Sequence, residues 1–325
     1  MKRCATAAVL LVVFSIVASA QATQPAQNAP TSPPVNAQDT IKVNVNVVNV
    51  LATVTDKKGH IVLDLGQKDF KLFEDNQPQT IQYFSRETDL PLRIGILIDT
   101  SNSVRERLHF EQEAAIDFLN QALRPGEDQA FVLGFDVEPQ IVQDYTDDVD
   151  KLSTAIRGLQ AGGTTALYDA IYFACKQKMI IEPQPQPYIR RVLIIVSDGR
   201  DNESQHSREE ALAMARRSEA VIYTISTNNS GASSTEDTAR GSGSPGDKVL
   251  KYFAEETGGR VFFPFEATDL ASNFQDIARE LRSQYSLGYV STNQKRDGSF
   301  RTISIATDEK GYRVRAKTGY FAPSL

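Results

Sequence analysis

Residues 94–104 read IGILIDTSNSV, and this stretch decides the fold that the sequence predicts. Its apolar run ends at Ile98 and lacks the polar alternation of a half-exposed strand, which is typical of a strand buried on both faces of a parallel sheet. Asp99 follows directly, and Ser101 and Ser103 occupy alternate positions after it. A buried strand that delivers a carboxylate and two hydroxyls to one loop predicts a binding site at its carboxyl end.

Two later stretches supply oxygen atoms of the same kind. A second apolar strand, Val192–Val196, is followed by a Ser-Asp-Gly turn that contains Asp198, and Thr164 lies in a Gly-Gly-Thr-Thr segment before a predicted helix. Ligands of an open parallel sheet bind beyond the carboxyl ends of its strands, so we expect Asp198 and Thr164 beside Asp99. Thr165 is an alternative to Thr164 because the two hydroxyls are adjacent.

The five candidate ligands carry only oxygen donors. Hard oxygen ligands suit Mg²⁺, Mn²⁺ or Ca²⁺ and disfavour zinc. Two carboxylates and three hydroxyls form a sparse shell, so the ion would stay electrophilic toward a carboxylate from another protein. The sequence therefore predicts a divalent-metal site that docks an acidic partner residue. The predicted metal ligands are Asp99, Ser101, Ser103, Thr164 and Asp198.

Strands and helices alternate over residues 90–284. The first strand is followed by a predicted helix over about 104–123, and a strand over 139–145 is expected to pair antiparallel with its predecessor. A later helix is predicted over 249–257, after a Ser- and Gly-rich segment, 228–246, that is expected to form a mobile loop. This alternation predicts an α/β domain with a doubly wound, mostly parallel sheet of the Rossmann-like class.

The segments on either side of this domain, 40–89 and 285–325, show the alternation of half-buried β-strands. The N-terminal segment alone is marginal in size for a domain. We therefore expect the two segments to pack together as a small antiparallel β unit. Three strands are predicted in the C-terminal segment, at 285–290, 300–306 and 312–317.

The N-terminal residues 1–20 have the features of an export signal. Lys2 and Arg3 precede a short apolar run and a cleavage site of small residues. This run is too short to span a bilayer comfortably, and no later segment is long enough. Residues 21–39 are rich in Gln, Pro and Ala and are predicted to be a disordered linker. We expect an exported protein with no transmembrane segment after signal cleavage.

Composition and motifs argue against several other classes of protein. The 325 residues carry a net charge of −6, whereas a nucleic-acid-binding protein is expected to show a basic face. No phosphate-binding GxxxxGK[ST] motif, no GxGxxG after a strand and no GxSxG nucleophile elbow is present, so an enzyme is not predicted. Cys175 lies in an apolar helical pattern and is expected to be a buried, inert thiol.

The three polar stretches resemble the metal-ion-dependent adhesion motif of von Willebrand factor type A domains. The DxSxS element of that family matches residues 99–103, its threonine matches Thr164, and its distal aspartate matches Asp198. The resemblance covers residues 90–283. It implies that the three hydroxyls contact the metal directly and that the two carboxylates act largely through water. The flanking segments, including the ending RVRAKTGYFA, resemble an exported, acidobacterial-type subgroup, which implies a periplasmic or secreted location.

Alternative interpretations remain for some of these residues. Ser101 or Ser103 could cap the helix that follows. Asp201 and Asn202 could join the site, although solvated loop residues are the preferred interpretation. The predicted function is a non-enzymatic protein–protein interaction module. The second candidate is a structural component of an envelope assembly with a non-essential metal site, and the third is a metal-dependent hydrolase.

Overall fold

The computed structural model describes residues 47–86, 90–180, 189–228, 243–264, 267–309 and 311–324. The predicted signal peptide, the linker, residues 40–46 of the first strand and most of the predicted 228–246 loop lie outside these ranges. The strands are β1 (Val47–Thr55), β2 (Phe70–Glu74), β3 (Gln77–Gln79), β4 (Ile81–Ser85), β5 (Leu92–Asp99), β6 (Gln129–Phe135), β7 (Pro139–Thr146), β8 (Arg190–Ser197), β9 (Val221–Ser226), β10 (Val261–Phe262), β11 (Tyr285–Val290), β12 (Phe300–Thr307), β13 (Arg313–Ala316) and β14 (Gly319–Phe321). The α-helices are α1 (Leu108–Ala122), α2 (Val149–Arg157), α3 (Leu167–Ala174), α4 (Arg208–Arg217), α5 (Pro245–Thr257) and α6 (Ala267–Leu281).

The central sheet has six strands in the order β10-β9-β8-β5-β6-β7. As expected, β7 pairs antiparallel with β6, and the other neighbouring strands run parallel. The chain enters this sheet at β5, adds β6 on one side and later adds β8 on the other. The strand order therefore switches between β5 and β8. The loops that leave these two strands meet at the edge where open α/β sheets bind their ligands.

Alternate residues of β5 belong to two different cores because successive side chains of a strand point to opposite faces. Ile94, Ile96 and Ile98 pack with residues of α1, α2 and α6 on one face. Leu97 packs with residues of α3, α4 and α5 on the other. Helices on both faces of a mostly parallel sheet confirm the predicted doubly wound α/β class.

The two flanking segments form two antiparallel four-stranded sheets, ordered β13-β1-β11-β4 and β14-β12-β2-β3. Each sheet combines strands from both segments, because β1 pairs with β11 and β13 while β2 pairs with β12. Val50, Leu72 and Tyr285 lie in one shared core. This is the small antiparallel unit of the predicted fold class. The C-terminal segment contributes four strands rather than three, because β14 adds to β12.

Two helices begin at residues other than those predicted. Residues 102–104 form a separate 3-10 turn, so α1 begins at Leu108. The helix α5 begins earlier than predicted because Ser244 and Asp247 form a capping box, in which each side chain accepts a hydrogen bond from the other residue's backbone N–H. Within the described ranges, no helix is long and apolar enough to cross a membrane.

Cys175 is the first residue of a π-helical turn that continues α3. It is fully buried, and burial raises the pKa of the thiol to about 12. Reactivity requires the thiolate, which is scarce at neutral pH when the pKa is this high. The residue therefore packs as a small apolar side chain, as the sequence predicted.

Candidate metal centre

Asp99 ends β5 and is fully buried at the point where β5 and β8 lie side by side. Its Oδ1 accepts a hydrogen bond from the backbone N–H of Ser101 at 2.9 Å, and its Oδ2 accepts one from Ser197 Oγ at 2.7 Å. Burial raises the pKa of Asp99 to about 6, although both hydrogen bonds favour the charged form. The carboxylate is thus held in a fixed orientation, in surroundings where a nearby cation would stabilise its charge.

Ser101 and Ser103 direct their hydroxyls toward each other, with 2.9 Å between the two Oγ atoms. Ser101 is buried and Ser103 is exposed at the protein surface. Ser101 occupies the N-cap position of the 3-10 turn, but its side chain makes no capping hydrogen bond. The N-cap residue of α1 is Arg107 rather than either serine. The helix-cap interpretation is therefore wrong, and both hydroxyls can serve a ligand.

The loop that carries Thr164 is tied to the first loop by hydrogen bonds. The backbone N–H and the side-chain amide of Asn102 both donate to the carbonyl oxygen of Gly163, at 3.3 and 3.0 Å. The exposed hydroxyl of Thr164 donates to Glu203 Oε2 at 3.3 Å. Thr165 is buried, so Thr164 is the hydroxyl that this loop presents to solvent. Thr164 reaches the predicted edge of the sheet with its hydroxyl turned toward Glu203.

Asp198 begins the third loop, directly after β8, and is almost fully buried. Its Oδ1 accepts a hydrogen bond from the backbone N–H of Arg200 at 2.9 Å, and Arg200 Nε lies 3.7 Å from Oδ2. Asp201 Oδ1 accepts a hydrogen bond from the backbone N–H of Tyr168, in the first turn of α3. Asn202 Oδ1 accepts one from the backbone N–H of Thr165. Asp201 and Asn202 therefore hold the third loop to the second rather than extending freely into solvent.

The donor set of this edge fits a hard divalent cation. The carboxylates of Asp99 and Asp198 are close enough for the charge of Asp198 to raise the pKa of Asp99. A dication would neutralise these two like charges, and the serine hydroxyls supply further oxygen donors. Within the described part of the chain, no three or more His, Cys, Asp or Glu residues group as a metal site. A metal at this edge would therefore depend on hydroxyl ligands as well as carboxylates.

The structure adds one acidic residue that was not among the predicted ligands. Glu111 on α1 is only 1% exposed, and its pKa is raised to about 8 by burial and by the charges of Asp99 and Asp198. The sequence did contain a signal for it. Glu111 is three residues after Leu108 and four before Ala115, so helical spacing places it on their buried face. An acidic residue on the apolar face of a predicted helix indicates a functional role.

We expect the metal-free protein to lose stability as the pH rises through the range set by Glu111. Its pKa is about 8 in the folded protein, against an ordinary value of 4.5. The folded state therefore binds this proton more tightly than the unfolded state, so the free energy of unfolding falls between these two pH values. The slope is at most about 1.4 kcal/mol per pH unit. The charges that face Glu111 are those of Asp99, Arg107 and Asp198.

Urea unfolding in EDTA between pH 6 and 8 measures this slope. The chain has no Trp, so far-UV circular dichroism is used in place of tryptophan fluorescence to follow unfolding. Asp99 acts in the same direction only up to its pKa of about 6. We expect Glu111→Gln to remove most of the slope above that pH. A Glu111→Gln protein with the wild-type slope would contradict the prediction.

The fold and the site define a class of protein, namely a doubly wound α/β domain with carboxylates and hydroxyls at the switch in strand order. Residues 94–200 match the family model of the von Willebrand factor type A domain. The matched range contains all three loops described above. Domains of this family bind divalent metals and mediate protein interactions.

A comparison with solved structures finds several similar chains. A von Willebrand factor type A protein from Catenulispora acidiphila is 12% identical, with a TM-score of 0.48 over 87% of this chain and 75% of that chain. Proximal thread matrix protein 1 from the mussel byssus, described with a zinc-occupied MIDAS motif, is 17% identical, with a TM-score of 0.47 over 64% of this chain and 49% of that chain.

An aerotolerance-related membrane protein from Bacteroides fragilis is 14% identical, with a TM-score of 0.45 over 58% of this chain and 98% of that chain. None of these structures is similar enough to transfer a ligand or a function to this chain. A comparison with curated proteins gives no match.

Proposed function

We propose that this protein is an exported, non-enzymatic interaction module that docks an acidic residue of a partner protein through a divalent metal. The proposed metal ligands are Asp99, Ser101, Ser103, Thr164 and Asp198. Mg²⁺ is the first candidate ion, with Mn²⁺ and Ca²⁺ as alternatives. The observation that carries the proposal is the meeting of three loops, each with an oxygen donor, at the switch in strand order between β5 and β8.

The exposure of the ligands supports docking rather than a closed structural site. Asp99 and Ser101 are buried at the base, whereas Ser103 and Thr164 are exposed above them. When bound, Mg²⁺ supplies an open coordination position for a partner carboxylate. The residues of this chain hold the ion at the protein surface, where a partner can reach it.

Exposed basic residues beside the loops favour an acidic partner. The side chain of Arg200 is 72% exposed and lies beside Asp198. Arg105 is also exposed, and its guanidinium donates to Asn102 Oδ1 at 2.7 Å on the first loop. Positive charge around a docking position attracts a carboxylate and orients its approach. These two residues would add electrostatic attraction to that of the metal.

Metal binding is expected to depend on the exposed hydroxyl of Ser103. We expect Ser103→Ala to weaken Mg²⁺ and Mn²⁺ binding by about tenfold or more, measured by isothermal titration calorimetry, because one ligand is lost. We expect replacement of the exposed Ser103 to have little effect on folding. Ser272→Ala is the matched control, since Ser272 is an exposed serine on α6. Equal metal affinity in the two variants would contradict the assigned site.

Docking itself can be tested by pull-down from an envelope extract of the source organism. A partner retained by wild type and Ser272→Ala, but released by EDTA and not retained by Ser103→Ala, would support the proposal. Retention of a partner that is unaffected by EDTA and by Ser103→Ala would favour the scaffold role. Mg²⁺-dependent turnover of p-nitrophenyl phosphate that Ser103→Ala abolishes would favour the hydrolase instead.

A further inference from the structure

Glu111 has a buried carboxylate, and neither of its oxygens has a hydrogen-bond partner among the described residues. Four buried side-chain oxygens lack a partner within the described residues, and three of them belong to Glu111 and Thr227. Buried polar groups are nearly always hydrogen-bonded, and an unpartnered carboxylate is among the costliest exceptions. A residue of this kind on an otherwise apolar helix face needs a physical explanation.

A series of hydrogen bonds connects the first turn of α1 to the candidate metal centre. The backbone N–H of Glu111 donates to the carbonyl oxygen of Arg107 at 3.0 Å. The guanidinium of Arg107 in turn donates to the carbonyl oxygen of Thr227. The N–H of Thr227 donates to Ser197 O at 3.0 Å, and Ser197 Oγ donates to Asp99. The first turn of α1 is thus connected to the ends of β8 and β9, where Asp99 accepts its hydrogen bond from Ser197.

The electrostatics of this region are unfavourable without a cation. The Glu111 carboxylate lies close enough to those of Asp99 and Asp198 for each of their charges to disfavour its ionisation. The Arg107 guanidinium acts in the opposite direction. When Glu111 is ionised, three carboxylates and one guanidinium leave an excess of negative charge in a buried region, which a divalent cation would offset.

We infer that Glu111 is not a metal ligand but a buried positioning residue of this metal centre, whose negative charge raises the affinity of the site for a divalent cation. The inference rests on the metal site of the proposed function. A neutral, purely structural glutamic acid would be the simpler explanation of its burial. The two explanations differ in what an isosteric neutral side chain does to metal binding.

The test compares Glu111→Gln with Glu106→Gln, a matched control that removes an exposed carboxylate just before α1. Titration with MgCl₂ and MnCl₂ by calorimetry measures the dissociation constant. We expect Glu111→Gln to weaken metal binding by about 10- to 100-fold, the range found for residues that support metal ligands. Glu106→Gln is expected to stay within about twofold of wild type.

A second measurement separates positioning from a structural role. We expect the melting temperature of Glu111→Gln in EDTA to equal or exceed that of wild type, because the variant removes an unpartnered buried acid. A lower melting temperature, failure of the variant to fold, or unchanged metal affinity would each overturn the inference. If wild type itself binds no metal, the inference and the proposed function both fail. If wild type binds metal and Glu111→Gln binds it with the same affinity, the inference fails but the proposed function stands.

Discussion

Gly199→Ala is expected to destabilise the protein by about 3–5 kcal/mol and to weaken metal binding at least about tenfold. Gly199 follows Asp198 and has a φ of +75°, where a Cβ is strained. A Cβ there would also lie closer than 3.0 Å to the carbonyl oxygen of Gly246, at the start of α5. The backbone must move to relieve this overlap, and Asp198 moves with it.

Gly126→Ala is the matched control for the cost of the backbone angle alone. Gly126 has a similar φ of +79°, but a Cβ there would meet nothing within 4 Å. We expect it to cost only about 1 kcal/mol and to leave metal affinity unchanged. Urea unfolding and metal titration of both variants measure the difference. Equal losses of stability would show that the close approach of α5 does not constrain this loop.

Glu74→Gln is expected to destabilise the protein by about 3–5 kcal/mol, because it leaves a buried guanidinium without its counter-charge. Glu74 on β2 lies 3.4 Å from Arg301 on β12, and both side chains are almost fully buried. The same carboxylate accepts hydrogen bonds from Ser291 Oγ at 2.6 Å and from the hydroxyls of Tyr289 and Tyr320 at 2.7 and 3.0 Å. One acid thus joins the N-terminal and C-terminal segments.

The control for this prediction is an exposed ion pair between the same two segments. Lys71 and Asp308 pair at the surface, with side chains 59% and 53% exposed. We expect Asp308→Asn to change the free energy of unfolding by less than about 1 kcal/mol, because exposed pairs contribute little. A Glu74→Gln protein as stable as Asp308→Asn in urea would show that the buried network does not hold the segments together.

The candidate site was predictable where its signal is local in the sequence. Asp99 and Asp198 each follow an apolar run, and Ser101 and Ser103 follow at alternate positions, so chain order alone indicated a binding edge. Glu111 was missed because its role depends on what lies across α1 from it. The orientation of Thr164 toward Glu203 was equally hidden, since the two residues belong to different loops.

The pairing of the flanking segments shows the same limit. Alternation indicated half-buried strands at both ends, and their small size indicated that they need a partner. Which strand pairs with which was not predictable, because registers such as Ile303 opposite Glu74 depend on contacts between residues far apart in the chain. The ionic network of Glu74 and Arg301 follows from that register.

The sequence by itself determined the α/β class, the two apolar strands that end in aspartates and the oxygen character of the site. These features depend on local hydrophobic patterning and on residue type, which are read without knowledge of distant contacts. Tertiary structure alone decided that β5 and β8 are neighbours, that neither serine caps a helix and that a buried glutamate lies within reach of the charges of Asp99 and Asp198. Each of these features depends on how helices and strands pack. Packing is stabilised by contacts between residues that are far apart in the sequence, so local patterning does not reveal it.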